Sequence, residues 1–330
     1  MPRGSAATSE AQLDGESGVD RIAAPDYVPT DADVLRSRAK TSIIGEFWAM
    51  TTEGDGNYAL QRFLEQEGAE VDIQIVTNWL LYNVWEHVYD TKQRMSLRNE
   101  DRGKRGLAGT NPIKKLAILW VADKAIRAIF QTIANSIGLH GYKLPNMDDV
   151  AEAAKDLYNN HLRGGEGHME VGKLVLNAEH KKCTMTLSVK PFGCMPSSGV
   201  SDGVQSYVTE KHPNAIFLPI ETSGDGKVNV YSRVQMMLFK ARTFARSEFD
   251  EALREHGVTA EEVRAFVAKH PTLSSPFFQP SHHVTHTAAD VVHHVAPLMK
   301  EGLVKGTLLS LAKRLRGHED HHAPVPQAAN

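Results

Sequence analysis

The sequence predicts an α/β fold: a Rossmann-like parallel sheet that carries a large helical insertion and a helical C-terminal extension. Three observations lead there. A strand-like run, a helix-like run and a second strand-like run fill residues 41–76, the span of one βαβ unit with parallel strands. After residue 165 two more short apolar runs appear, each leading through a polar loop into a helical pattern. Between these blocks lies a long stretch of helical periodicity without strand alternation.

Residues 1–38 are rich in Ala, Ser, Gly, Asp and Pro and read as a disordered leader. The α/β domain is expected over 39–245. Its first strand is Thr41–Glu46, followed by a loop holding Gly54, Asp55, Gly56 and Asn57. Tyr58–Gln66 places Leu60, Phe63 and Leu64 on one helical face, and Gly68 ends that helix. Val71–Val76 alternates with period two and predicts the second strand. The insertion, 78–163, contains helical patterns at Trp79–Tyr89, Ile113–Ile137 and Met147–Leu162. The apolar stripe of Ile113–Ile137 predicts burial on one side, and the charged run Arg98–Arg105 predicts a solvated loop. The loop Gly165–Gly167, a helix Val171–Glu179, a strand Thr184–Val189 and a helix Val200–Glu210 follow. Ala215–Ile220 is the last strand and Val228–Ala245 a long helix. Residues 246–330 form the His-rich extension, with helices expected at Phe249–His256, Ala260–Lys269, Ala288–Leu298 and Leu303–Arg316.

The formal net charge of −3 argues against nucleic acid or an anionic membrane as a partner. No uninterrupted apolar run reaches the roughly 20 residues of a membrane span, and the first residues lack the apolar core of a signal peptide. Cys183 and Cys194 alone make no disulfide framework, so a cytoplasmic location is expected.

Open parallel sheets bind ligands outside the carboxyl ends of their strands. The loops 45–57, 190–201 and 221–229 belong at that edge. They bring Glu46, Asn57, Cys194, Ser197, Ser198, Glu221, Ser223, Asp225, Asn229 and Arg233 into consideration. In Lys190–Pro196 two prolines bracket Gly193 and Cys194. The prolines stiffen the turn, and the glycine permits close backbone approach. A cysteine there suits three roles: thiolate ligand to iron, nucleophile, or inert packed thiol.

The stretch 165–238, with its Gly165-Glu166-Gly167 loop, its Pro191–Pro196 turn and then Asp225, Asn229 and Arg233, resembles the last domain of the 2-hydroxyacyl-CoA dehydratase family. It is most similar to the branch in which an activase ATPase and a dehydratase-like region share one chain. Ile43–Val71 resembles the family's earlier Gly-Glu strand end, its helix-opening Asn and its Leu-Glu-x-x-Gly-Ala-Glu-Val turn. The resemblance covers about residues 41–244 with gaps, and the cysteine turn is its most specific part.

The resemblance implies an iron–sulfur protein. Family members hold a 4Fe–4S cluster or a double cubane on cysteines from separate loops. They take an electron from an ATP-dependent activase and pass it to a substrate such as a 2-hydroxyacyl-CoA thioester. Cys194 matches a ligand position, with Glu46, Asn57, Glu166, Gly193, Ser197, Asp225, Asn229 and Arg233 lining the cofactor site. A conventional cluster takes about four ligands. At about 3.3 Å per strand residue, Cys183 is roughly 25–30 Å from Cys194. Any cluster is therefore expected to be shared between chains, with an activase and a second dehydratase-like subunit, or a homodimer, as partners. The alternatives are a non-catalytic subunit or assembly module that has lost the cluster, and a thiol enzyme using Cys194. The histidines of the extension, among them His282, His283, His286, His293, His294, His318, His321 and His322, are expected to belong to a solvated tail.

Overall fold

The computed structural model describes residues 33–301, apart from 53, 55, 98–106, 108, 140–141, 163–164, 196, 198–201 and 276. Most of the leader, the charged run at 98–105, Ser198, the start of the helix expected from Val200, the helix expected at 303–316 and the last three histidines lie outside the described residues.

Four strands build the sheet: β1 (Lys40–Gly45), β2 (Glu70–Ile73), β3 (Met185–Pro191) and β4 (Ile216–Thr222). All pair in parallel, in the order β2-β1-β3-β4. Ile43 stands between Ile73 and Leu187, and Leu187 is paired in turn with Leu218. The expected α/β class is thus present.

Both faces of the sheet are covered, which explains why the central strands β1 and β3 are buried almost throughout, while the edge strands β2 and β4 are only partly so. On one face Ile43, Leu187, Val189 and Leu218 meet α2 (Leu60–Gln66) and the helix α8 (Lys227–His256). On the other face Ile44 and Phe217 meet α6 (Gly167–Glu179) and α7 (Asp202–Lys211). A short helix, α1 (Phe47–Thr51), follows β1 directly.

The insertion is α3 (Val76–Met95), α4 (Pro112–Ser136) and α5 (Met147–Ala154), joined to α6 through Leu81, Tyr82, Met147, Val150 and Met169. Several features here differ from expectation. The second strand ends at Ile73: the Gln74 amide makes its last bond to β1, at the Ile43 carbonyl, and Val76 already opens α3. The helix from Met147 stops at Ala154, whose carbonyl accepts from both Leu157 and Tyr158 in a tight turn. The stripe of α4 is not buried: of its residues only Ala134 is, while Ile118, Trp120, Val121, Ile129 and Ile133 are exposed.

The extension is not a separate attachment. α8 runs unbroken for 30 residues, so the boundary expected at 245/246 falls inside it, and Phe249–His256 is its last part. Val230, Val234, Leu238 and Ala241 pack on the sheet. Phe249 and Ala252, farther along, pack with α9 (Ala260–Ala268), α10 (Thr287–Glu301) and Leu35 in a second core. Gly257, in the left-handed region at φ 59°, stops α8, and a Thr259–Glu262 capping box starts α9.

Candidate functional site

The carboxyl edge of the sheet is organised by the contact between β1 and β3. Gly45 has φ 132°, and a Cβ there would run into the Val189 carbonyl. That close approach lets the Glu46 amide donate to Val189 O at 2.9 Å. The Glu46 carboxylate then accepts from the Ala49 amide at 2.9 Å and caps α1. Phe47 stacks on Trp79 with ring centres 4.3 Å apart, and Trp79 Nε1 donates to Glu166 Oε1 at 2.8 Å. Burial raises the Glu166 pKa; the Trp79 hydrogen bond opposes this, and the charge of Glu46 adds to the rise. Glu46 and Glu166 are thus linked through the stacked rings of Phe47 and Trp79.

The cysteine turn leaves β3 at Pro191. Phe192 N donates to Thr222 O, and Cys194 N donates to Pro191 O. Gly193 takes φ 75°, with open space where a Cβ would stand. The turn therefore requires glycine for its backbone angle and not, as expected, for close approach. Phe192 and Met195 are 76 % and 81 % exposed, and Cys194 between them is half-buried. Behind Cys194 runs a polar chain: its Sγ lies 3.5 Å from Ser197 Oγ, which donates to Glu170 Oε1 at 2.6 Å. Ser197 and Glu170 are buried.

Sequence reasoning missed Glu170, although an acid among the apolar residues of α6 was a signal. It also missed Lys190, fully buried in β3 and paired with Asp202 at the start of α7. A lysine inside a core strand was the signal there. His168, set against Tyr82 and Trp85, has its pKa lowered to about 4 by burial and is a neutral packing residue near neutral pH.

A cavity of about 400 Å³ opens beside the turn, lined by Phe192, Asp202, Glu221, Ser223, Asn229 and Arg233 among others. Arg233 Nη2 donates to Pro219 O at 3.3 Å. Asn229 and Arg233 thus both line this cavity, whereas Cys194, Glu46 and Asn57 are not among its lining residues. Asp225 is exposed on the neighbouring loop and is not among the residues that line the cavity. Asn57 is buried, and its Oδ1 has no partner among the described residues. It precedes Tyr58 and Ala59, both left-handed at φ 59° and 53°. Tyr58 is held there by its own hydroxyl, which accepts from Ser223 N at 2.7 Å, and by Tyr231, which donates to its carbonyl at 2.5 Å.

Cys183 lies before β3, at the other end of the sheet from Cys194, buried and with its thiol pushed up to about 11 by burial. A second cavity, of about 420 Å³, sits at that end among Lys181, Cys183, Thr184, His212, Glu248 and His286. The histidines of the extension that the structure describes are not those of a solvated tail. His286 is buried, and even the more exposed His282 is held by Asp290 Oδ2 at 3.2 Å and His180 O at 2.8 Å. They pack because the extension shares α8 with the sheet.

Searches against protein-family models, curated proteins and solved structures return no match. No helix among the described residues is long and apolar enough to cross a membrane.

Proposed function

We propose that this chain is a component of a dehydratase- or reductase-type iron–sulfur system in which Cys194 is one cluster ligand and another chain supplies the rest. The supporting observation is the setting of Cys194: half-buried on a turn at the carboxyl edge, between two exposed apolar side chains that a partner would cover. The donor set of a single chain does not fit a whole cluster. It offers one thiolate at this edge, and Cys183 stands at the far end of β3. The chain's own residues shape the edge: Ser197 and Glu170 stand behind the sulfur, and Asn229 and Arg233 line the adjoining cavity for a polar or anionic substrate group. Iron and sulfide analysis with electron paramagnetic resonance, on anaerobic wild type and Cys194→Ala, tests the reading. Iron lost in the variant supports it, and iron-free wild type beside its partner chain overturns it.

A second reading has its own observation. One exposed face of α4 presents Ile118, Val121, Ile129 and Ile133 over several turns. This favours an assembly module without a cluster, whose helical insertion meets a partner. Iron-free protein that still forms a defined complex through α4 would support it.

A further inference from the structure

The second core brings three metal-binding side chains together where two helices meet. Glu255 and His256 stand in the last turn of α8, and His293 stands in the middle of α10. One donor atom from each lies within 4.8 Å of the other two. His256 Nε2 and His293 Nδ1 are 2.9 Å apart, with the rings nearly perpendicular at 74°. Both imidazoles are half-buried, while Glu255 faces solvent. The His283 ring lies 5.6 Å from that of His293. The frame is firm: Ala252 of α8 packs with Val292 and Val295 of α10, and Lys300 Nζ donates to His256 O at 2.5 Å.

We propose that Glu255, His256 and His293 form a site for a divalent transition metal, with zinc the best match. Two imidazole nitrogens and a carboxylate oxygen are the donors such ions take, and they disfavour magnesium and calcium, which prefer oxygen alone. Zinc–nitrogen bonds of about 2.0–2.1 Å in a tetrahedron put donor atoms roughly 3.4 Å apart. The imidazole pair opens by about half an ångström to admit the ion, a shift within side-chain freedom. The ring that donates in the metal-free pair moves its hydrogen to its other nitrogen, so both lone pairs point at the ion. The fourth position is left to water or to His283. Bound there, the ion ties the end of α8 to α10.

The test uses the full chain, freed of metal by a chelator and titrated with zinc chloride by calorimetry and thermal unfolding. Wild type is compared with the double variant His256→Ala, His293→Ala; histidines elsewhere in the chain are common to both. The expected result is one zinc equivalent fewer in the variant, and a zinc-dependent rise in Tm that only wild type shows. Equal stoichiometry and equal Tm shifts overturn the site. Because the double variant removes half-buried rings, Glu255→Gln serves as a second probe that leaves the packing alone. Zinc binding at least tenfold weaker supports the site, and unchanged affinity counts against it.

Discussion

Glu248 Oε2 and His286 Nδ1 are 2.6 Å apart, a hydrogen bond across 38 positions that joins the middle of α8 to the segment leading into α10. The same carboxylate accepts from the backbone amides of Thr285 and His286, at 3.2 and 2.8 Å. On its other side His286 Nε2 meets Thr184 Oγ1, at the root of β3, at 2.8 Å. One imidazole therefore binds the extension to both the long helix and the sheet.

The pH dependence of this junction has a defined sign. Burial pushes the Glu248 pKa up, but the hydrogen bonds and charge of His286, with the Thr285 and His286 amides, outweigh it and the net shift is down. A depressed carboxylate contributes stability that is present above the unfolded pKa, about 4.3, and is lost as pH falls through the folded value. Urea unfolding from pH 6 down to pH 3 is expected to show this loss in wild type and a shallower slope in Glu248→Gln. His286→Ala is expected to cost about 1–3 kcal/mol at neutral pH, since it takes the side-chain partner from the buried Thr184 hydroxyl and one of three hydrogen bonds from Glu248.

His282 behaves in the opposite sense. Its hydrogen bond to Asp290 raises its pKa; burial opposes this, and the His180 carbonyl assists it. Its contribution is fully present below the unfolded value, about 6.5, and is lost as pH rises through the higher folded value. Thermal unfolding from pH 5.5 to 8.5 is expected to show a decline that His282→Gln removes. Asp290→Ala is expected to be more damaging than the loss of His282. The buried Asp290 also accepts from the His283 and Val284 amides at 2.7 and 2.9 Å.

The pair Lys190–Asp202 separates the loss of a pair from the loss of one partner. Lys190 is completely buried. Asp202→Ala leaves its charge unanswered and is expected to cost about 3–5 kcal/mol, whereas Lys190→Met with Asp202→Ala is expected to recover most of that. Chemical denaturation of the three proteins checks the ordering.

Thiol chemistry distinguishes the two ends of β3. Cys194 is half-buried on its turn, while Cys183 is buried with a raised pKa. A disulfide reagent at pH 8 is expected to titrate one thiol in native protein and two after denaturation. Cys194→Ala is expected to remove the native one. A native chain in which Cys183 reacts first would contradict the described packing.

The sheet was legible because its strands carry their pattern locally. β3 and β4 begin and end within about two residues of expectation, as apolar runs bounded by polar loops do. The face of α4 was legible as apolar, but periodicity shows which residues share a face and not what covers it. The length of α8 was missed because the composition shifts near residue 246 while nothing there breaks a helix: no Gly or Pro stands between Lys227 and Gly257. Within the candidate site, Asn229 and Arg233 were placed together because both stand on the first turns of that helix. Glu170 and Ser197 are 27 positions apart and His286 and Thr184 are 102, so only the folded chain brings them together.

The unbroken α8 leaves no seam between the sheet and the described part of the extension. At about 1.5 Å per residue it is a rod of roughly 45 Å, embedded in both cores, and Ala241, Ala245 and Phe249 are buried in succession across the supposed border. A protease finds no linker there, and a chain cut near residue 246 loses the helix that closes each half. The sheet and the extension are therefore expected to melt in one transition, and a truncation meant to isolate the sheet would instead yield a fragment with an opened core.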